Sequence, residues 1–328
     1  MRKSLLVAFA LLFAAAICAV DIYAASEEPV VVVTISPLYM VVKEVAGSEA
    51  EVYVLAPAGV DPHSYSPTPQ DVALVSSCDL FVCVGKEEFL GQLPSPQHGL
   101  VLSWEDWLSY GVYVENGNPH YLWLYPPNVK VMADAVADAL SKLNPSCSSY
   151  YRANAESLKR EIDELKDWVD VVTSSFKGES VVLAGDHFEP LVKWIGLNVS
   201  YIVIRGQGGI PGPQTLKEAI EAAKSSRLVI ISATQSEGYE GIYGERVAGE
   251  AGVPAVYLYG IPISQGDTYT EFIKYNVMII ASYTSTSTSN ACSEASSQSL
   301  DASDIYPLVV SALAVIAVVE GILVVRLR

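Results

Sequence analysis

Residues 30–35, Val-Val-Val-Val-Thr-Ile, form a near-continuous β-branched run, the pattern of a strand covered on both faces. Further apolar runs of strand length lie at 52–55, 80–84, 181–184, 199–204, 228–231 and 256–259. Helical patterns alternate with them at 38–46, 69–76, 128–143, 213–225 and 242–251. Such alternation predicts parallel sheets with helices on both faces. It occurs twice, before about residue 143 and after about residue 179. The expected fold class is therefore α/β, with two lobes of parallel sheet flanked by helices.

A different pattern fills the gap between the lobes. Tyr151, Ala155, Leu158, Ile162, Leu165, Val169 and Val172 recur at alternating spacings of four and three, which keeps one apolar stripe on a helix. Lys159, Arg160, Asp163, Glu164 and Lys166 take the wet face. From Pro145 to about Ser175 the helix would span roughly 45 Å at 1.5 Å per residue, with Asn144 as its cap and Pro145 in its first turn. The pattern offers no partner helix for a coiled-coil hairpin. The expected organisation is a first lobe at 29–143, a rigid connecting helix at 144–176 and a second lobe at 177–281.

Both ends are apolar. Arg2 and Lys3, the apolar stretch 5–16 and the small residues around Ala24 read as a signal peptide at 1–24. Residues 282–303 are rich in Ser and Thr and read as a flexible stalk. The run 308–325, closed by Arg326 and Arg328, is just long enough to span a bilayer. The expectation is a transmembrane anchor at 304–326, with the C-terminus cytoplasmic and the main body extracellular at the cell surface. A buried C-terminal helix is the second reading.

Composition narrows the partners. Thirty-seven Asp and Glu against 20 Lys and Arg give a net charge of −17, which argues against nucleic acid and suits a protein that meets cations outside the cell. Cys78, Cys83, Cys147 and Cys292 would remain after processing, and no CxxC pair exists to build a cysteine zinc site. Cys78 and Cys83 lie along one strand, too far apart to bridge each other. Asn198-Val199-Ser200 is a formal glycosylation sequon.

The candidate chemistry lies in the four histidines. Two directly follow a proline where a strand runs out: His63 in Asp61-Pro62-His63-Ser64 and His120 in Asn118-Pro119-His120-Tyr121. Proline stiffens the backbone, so each imidazole can meet a metal ion with little entropy lost. His187, in Gly185-Asp186-His187-Phe188, would serve as a ligand or as a helix cap. His98, in Pro96-Gln97-His98-Gly99, reads as a solvated loop residue. Taken singly, each is more simply a hydrogen-bonded structural histidine.

Longer blocks change that balance. The chain resembles the zinc/manganese solute-binding receptors of ABC importers, the cluster A-I class. The blocks that carry the resemblance are Val54-Leu55-Ala56-Pro57, Asp61-Pro62-His63-Ser64-Tyr65-Ser66-Pro67-Thr68-Pro69-Gln70-Asp71, Cys78-Asp79-Leu80-Phe81-Val82-Cys83-Val84-Gly85 and Asn118-Pro119-His120-Tyr121-Leu122-Trp123-Leu124. Leu143-Asn144-Pro145 and Tyr150-Tyr151-Arg152-Ala153-Asn154 follow in the family's order. The resemblance implies two lobes, a rigid helix between them and a metal in the cleft. It implies His63 and His120 as ligands of the first lobe. The third family position falls near Gly185, so His187 stands two residues away from it. At the fourth, Tyr259 stands where the family has an aspartate; Asp186, Glu237, Asp267 or water would have to supply that oxygen.

Three imidazoles suit Zn²⁺ in a tetrahedral shell, whereas Mn²⁺ prefers more oxygen donors. The expected cargo is Zn²⁺, or else Mn²⁺, handed by a monomeric receptor to an ABC permease. Two alternatives stand beside this non-enzymatic reading. One is a metal-dependent hydrolase with a three-histidine zinc site and Glu189 or Glu237 as base; no HExxH motif or phosphate-cradling loop supports it. The other is a degenerate receptor that binds no metal, or an adhesive surface protein.

Overall fold

A computed structural model describes residues 28–206 and 209–285. The chain opens with β1 (Val30–Ile35), α1 (Ser36–Ala46), β2 (Glu51–Ala56), α2 (Pro69–Ser77) and β3 (Leu80–Val82). It continues through β4 (Leu100–Leu102), α3 (Trp104–Tyr110), the short α4 (Tyr121–Leu124) and α5 (Pro126–Leu143). All strands pair in parallel, in the order β2-β1-β3-β4. The valine run sits inside the sheet because it is apolar on both faces: Val31, Val32 and Val33 are all fully buried. Thr68 and Asp71 form a reciprocal capping box at the start of α2, with Pro69 in the first turn.

A long helix, α6 (Ser148–Val172), leads to the second lobe. That lobe contains β5 (Ser180–Gly185), α7 (Glu189–Trp194), β6 (Asn198–Ile204), α8 (Pro213–Lys224), β7 (Val229–Ser232), α9 (Tyr239–Ala251), β8 (Ala255–Leu258) and α10 (Tyr269–Ser285). Its strands are again parallel, in the order β6-β5-β7-β8. Two sheets with the same winding order stand on either side of one long helix.

The apolar stripe of α6 is buried as its spacing requires, from Tyr151 to Val169, with Val172 partly buried. At one end Tyr151 Oη donates to the Glu49 carbonyl at 2.7 Å and Asn154 Nδ2 to the Val45 carbonyl at 3.0 Å. Toward the other end Lys166 lies over the Trp194 ring and Lys274 over the Trp168 ring. One apolar core runs through the first lobe, this stripe and the inner face of the second sheet. A smaller core fills the space between the second sheet and α8 and α9.

Several expectations are corrected. The helix starts at Ser148, after a 3₁₀ turn at Pro145–Cys147, because Asn144 ends α5 through its N–H to the Leu140 carbonyl and supplies no side-chain cap. The helix also has a partner. Lys130–Asp163, Asp134–Lys159 and Asp138–Arg152 pair α5 with α6, and the numbers fall on one helix as they rise on the other, so the two are antiparallel. No strand immediately precedes His120; α3 and an irregular stretch do. The transmembrane helix is removed from the fold class: among the described residues no helix is long and apolar enough to cross a membrane. The last of them, α10, has 17 residues and carries Glu271, Lys274 and Asn276, short of the ~20 apolar residues a span needs. The expected anchor at 304–326, the signal peptide at 1–24 and the stalk beyond Ser285 lie outside the described residues. Cys78, Cys83 and Cys147 are free thiols.

Candidate metal centre

The carboxyl ends of the strands face the space between the lobes, where open parallel sheets place their ligands. His63 stands in the turn after β2. Its backbone N–H donates to Asp61 Oδ1 at 3.0 Å, and Asp61 Oδ2 accepts from Gln235 Nε2 of the second lobe at 2.9 Å. The Asp61-Pro62 turn thus aims the ring and also ties it across the cleft. Glu88 lies 3.9 Å from His63 Nδ1.

His120 is the residue before α4. Its Nδ1 lies 2.8 Å from Asn118 Oδ1, which also accepts the His120 backbone N–H at 3.0 Å. An amide oxygen only accepts, so Nδ1 carries the proton and Nε2 keeps a free lone pair. Asn118 Nδ2 donates onward to the Asp186 carbonyl at 2.8 Å, again across the cleft. Burial, then the neighbouring His187 and His63, hold the His120 imidazole well below its ordinary value. It is therefore neutral, the form in which an imidazole can coordinate a metal.

His187 follows β5 and precedes α7, where the parallel strand gives way to a helix. Burial disfavours its charged form, but Glu240, with Asp186 and Asp61 behind it, raises its pKa above the ordinary value. Glu240 Oε1 lies 2.9 Å from His187 Nδ1. The ring centroids of His120 and His187 are 4.3 Å apart, and those of His63 and His187 are 6.2 Å apart. One ligand atom from each of His63, His120 and His187 lies within 4.8 Å of the others. A cavity opens beside them, lined by Asp61, Trp123, Thr234 and Ile261 as well as the histidines.

Of the other nominated residues, Asp186 and Glu189 line the cleft together with the three histidines, and the rest stand elsewhere. Tyr259 packs its ring on Tyr275, its backbone N–H donates to Asn276 Oδ1 and its carbonyl accepts from Asn276 Nδ2, so it takes no part in the cavity. The Asp186 carboxylate accepts the Gly206 N–H at 2.8 Å. Asp267 closes its own turn by accepting the Ser264 N–H. His98 is exposed before β4, and Glu237 is exposed before α9. Glu189 is paired with Lys193 at 2.9 Å. Two residues at the site went unread in the sequence. Asn118 carried a usable signal, because an Asn two residues before a His across a proline suits an Asx turn. Glu240 carried none; only the fold brings it to His187.

A family model, zinc-uptake complex component A, periplasmic (ZnuA), matches residues 31–283. The chain belongs to that family. As a member it is a metal-binding solute receptor of the ABC-importer type, and its relatives, themselves metal-binding receptors, give no support to the hydrolase alternative. Among similar proteins, the manganese-binding lipoprotein MntA of Halalkalibacterium halodurans is 26% identical over 262 residues, covering 75% of this chain and 85% of the relative. The manganese ABC transporter substrate-binding lipoprotein PsaA of Streptococcus anginosus is 24% identical over 283 residues, covering 76% and 87%. The fold matches that of a cadmium-bound periplasmic metal-binding protein from Candidatus Liberibacter asiaticus with a TM-score of 0.66, at 20% identity, over 77% of this chain and 98% of the other.

Proposed function

We propose that this member of the zinc-uptake family captures Zn²⁺ outside the cytoplasmic membrane, using His63, His120 and His187, and delivers it to an ABC permease. The supporting observation is that three imidazoles, two from the first lobe and one from the second, bring ligand atoms within 4.8 Å of one another. Nitrogen donors in a closed set of three favour Zn²⁺ over Mn²⁺, which takes more oxygen ligands. The fourth coordination position is left to water or to a group of the permease, since Tyr259 points away from the cavity. Binding needs neutral imidazoles, so affinity falls as the pH drops through the imidazole range.

Release follows from the same geometry. The helix α6 and the cross-cleft bonds of Asp61 and Asn118 oppose a wide opening of the lobes. A permease that displaces one lobe's turn separates His187 from His63 and His120 and so breaks the ligand set. The test is thermal unfolding of the purified protein with Zn²⁺ and with Mn²⁺. At a free ion concentration 100 times Kd, binding adds about 2.7 kcal/mol to stability. A rise in Tm that is larger for Zn²⁺ than for Mn²⁺ is expected. No rise with either ion leaves the degenerate receptor as the correct reading.

A further inference from the structure

Glu240 is a buried carboxylate with an unusual setting. It stands in the first turn of α9, is 7% exposed, and its Oε2 has no hydrogen-bond partner among the described residues. Leaving a buried carboxylate oxygen unsatisfied is costly, so such an arrangement in a cleft calls for a functional reason. Oε1 lies 2.9 Å from His187 Nδ1, off the best hydrogen-bond line.

Three glycines make room for it. A Cβ built on Gly185, at the end of β5, would collide with the Glu240 carboxylate. One on Gly241 would strike the Ser236 carbonyl. One on Gly244 would come within 2.7 Å of Ile231 Cγ1 and 2.8 Å of Ala184 Cβ. The helix therefore rides unusually close to β5 and β7, and its first turn pushes the carboxylate into space that a side chain at 185 would fill.

We propose that Glu240 is the positioning carboxylate of the metal site: it holds the His187 Nδ1–H, turning Nε2 toward His63 and His120. A small rotation of the ring completes the hydrogen bond when Nε2 is drawn to a cation. Outer carboxylates of this kind typically change metal affinity about 10–100-fold. Glu240 acts through His187 and is not itself one of the three converging donors.

This inference rests on the proposed metal-binding role, and its test separates the two. Zn²⁺ affinity is measured by competition with a chromophoric chelator for the wild type, Glu240→Gln, His187→Ala and the double variant. The Tm of each metal-free protein is recorded alongside. If the wild type does not bind Zn²⁺, the metal-binding role itself fails. If it binds, Glu240→Gln is expected to weaken affinity about 10–100-fold without lowering the metal-free Tm, and to add nothing in the His187→Ala background. Equal loss in both backgrounds, or no loss at all, overturns the assignment. Gly185→Ala is the second variant, should Glu240→Gln not fold. It displaces the carboxylate without removing its charge, and it too must weaken Zn²⁺ binding; unchanged affinity overturns the assignment.

Discussion

Glu44, at the end of α1 facing α10, combines a carboxylate with a site that disfavours its charge. Burial raises its pKa to about 7, opposed by the Tyr269 N–H that it accepts at 2.7 Å and assisted by the negative charges of Glu161 and Glu271. A carboxyl whose folded value lies above its unfolded value binds more protons in the native state. Its contribution to stability is full below about pH 4.5 and is lost as the pH rises through about 7. Glu44→Gln keeps an oxygen for the Tyr269 N–H and removes the charge. Thermal unfolding is expected to give a higher Tm for the variant at pH 8 and little difference at pH 4.5; a lower Tm at pH 8 contradicts this. Legibility at this scale was uneven. His63 and His120 announced themselves because proline precedes each, whereas Glu240 is polar, lies on a helix and sits beside no motif. Contacts made by chain segments far apart in sequence leave no local mark, and the Glu240–His187 pair is one of these.

Among the elements, the α5–α6 pair shows which interactions matter. Its three ion pairs lie at the surface, with Asp163 68% exposed, so each contributes at most about 1 kcal/mol. Leu158, 1% exposed at the centre of the stripe, belongs to the core that runs through both lobes. Leu158→Ala should cost about 2–5 kcal/mol, and Asp163→Asn less than about 1 kcal/mol. Urea unfolding measures both, and similar losses for the two variants would contradict this account. The stripe was readable because its 3.6-residue period persists over 25 residues. The valine run of β1 was readable for the matching reason that a doubly covered strand has no polar face. By contrast, α4 escaped detection, being four residues long, too short for a helical period to emerge. The partner of α6 was missed although α5 itself was expected, because nothing in either sequence says which face meets which helix.

At the scale of the molecule, the repeated strand order of the two sheets brings the ends of β2 and β5 toward one cleft. Two polar residues of the first lobe then bond across it: Asp61 accepts from Gln235, and Asn118 donates to the Asp186 carbonyl. Trp123 Nε1 donates to the Gly260 carbonyl at 2.7 Å, and Tyr269 Oη donates to the Trp123 carbonyl at 2.8 Å. These bonds tie the walls of the cleft together without help from an ion, which lowers the ordering cost of binding. Bound Zn²⁺ per chain, measured by elemental analysis after equilibrium dialysis of the purified protein and its His63→Ala, His120→Ala and His187→Ala variants, tests the shared site most directly. A single ion is expected on the wild type, with a sharp loss of retained Zn²⁺ in all three variants, including the His187 variant from the other lobe. Full retention of zinc by the variants, or none on the wild type, would contradict the shared site.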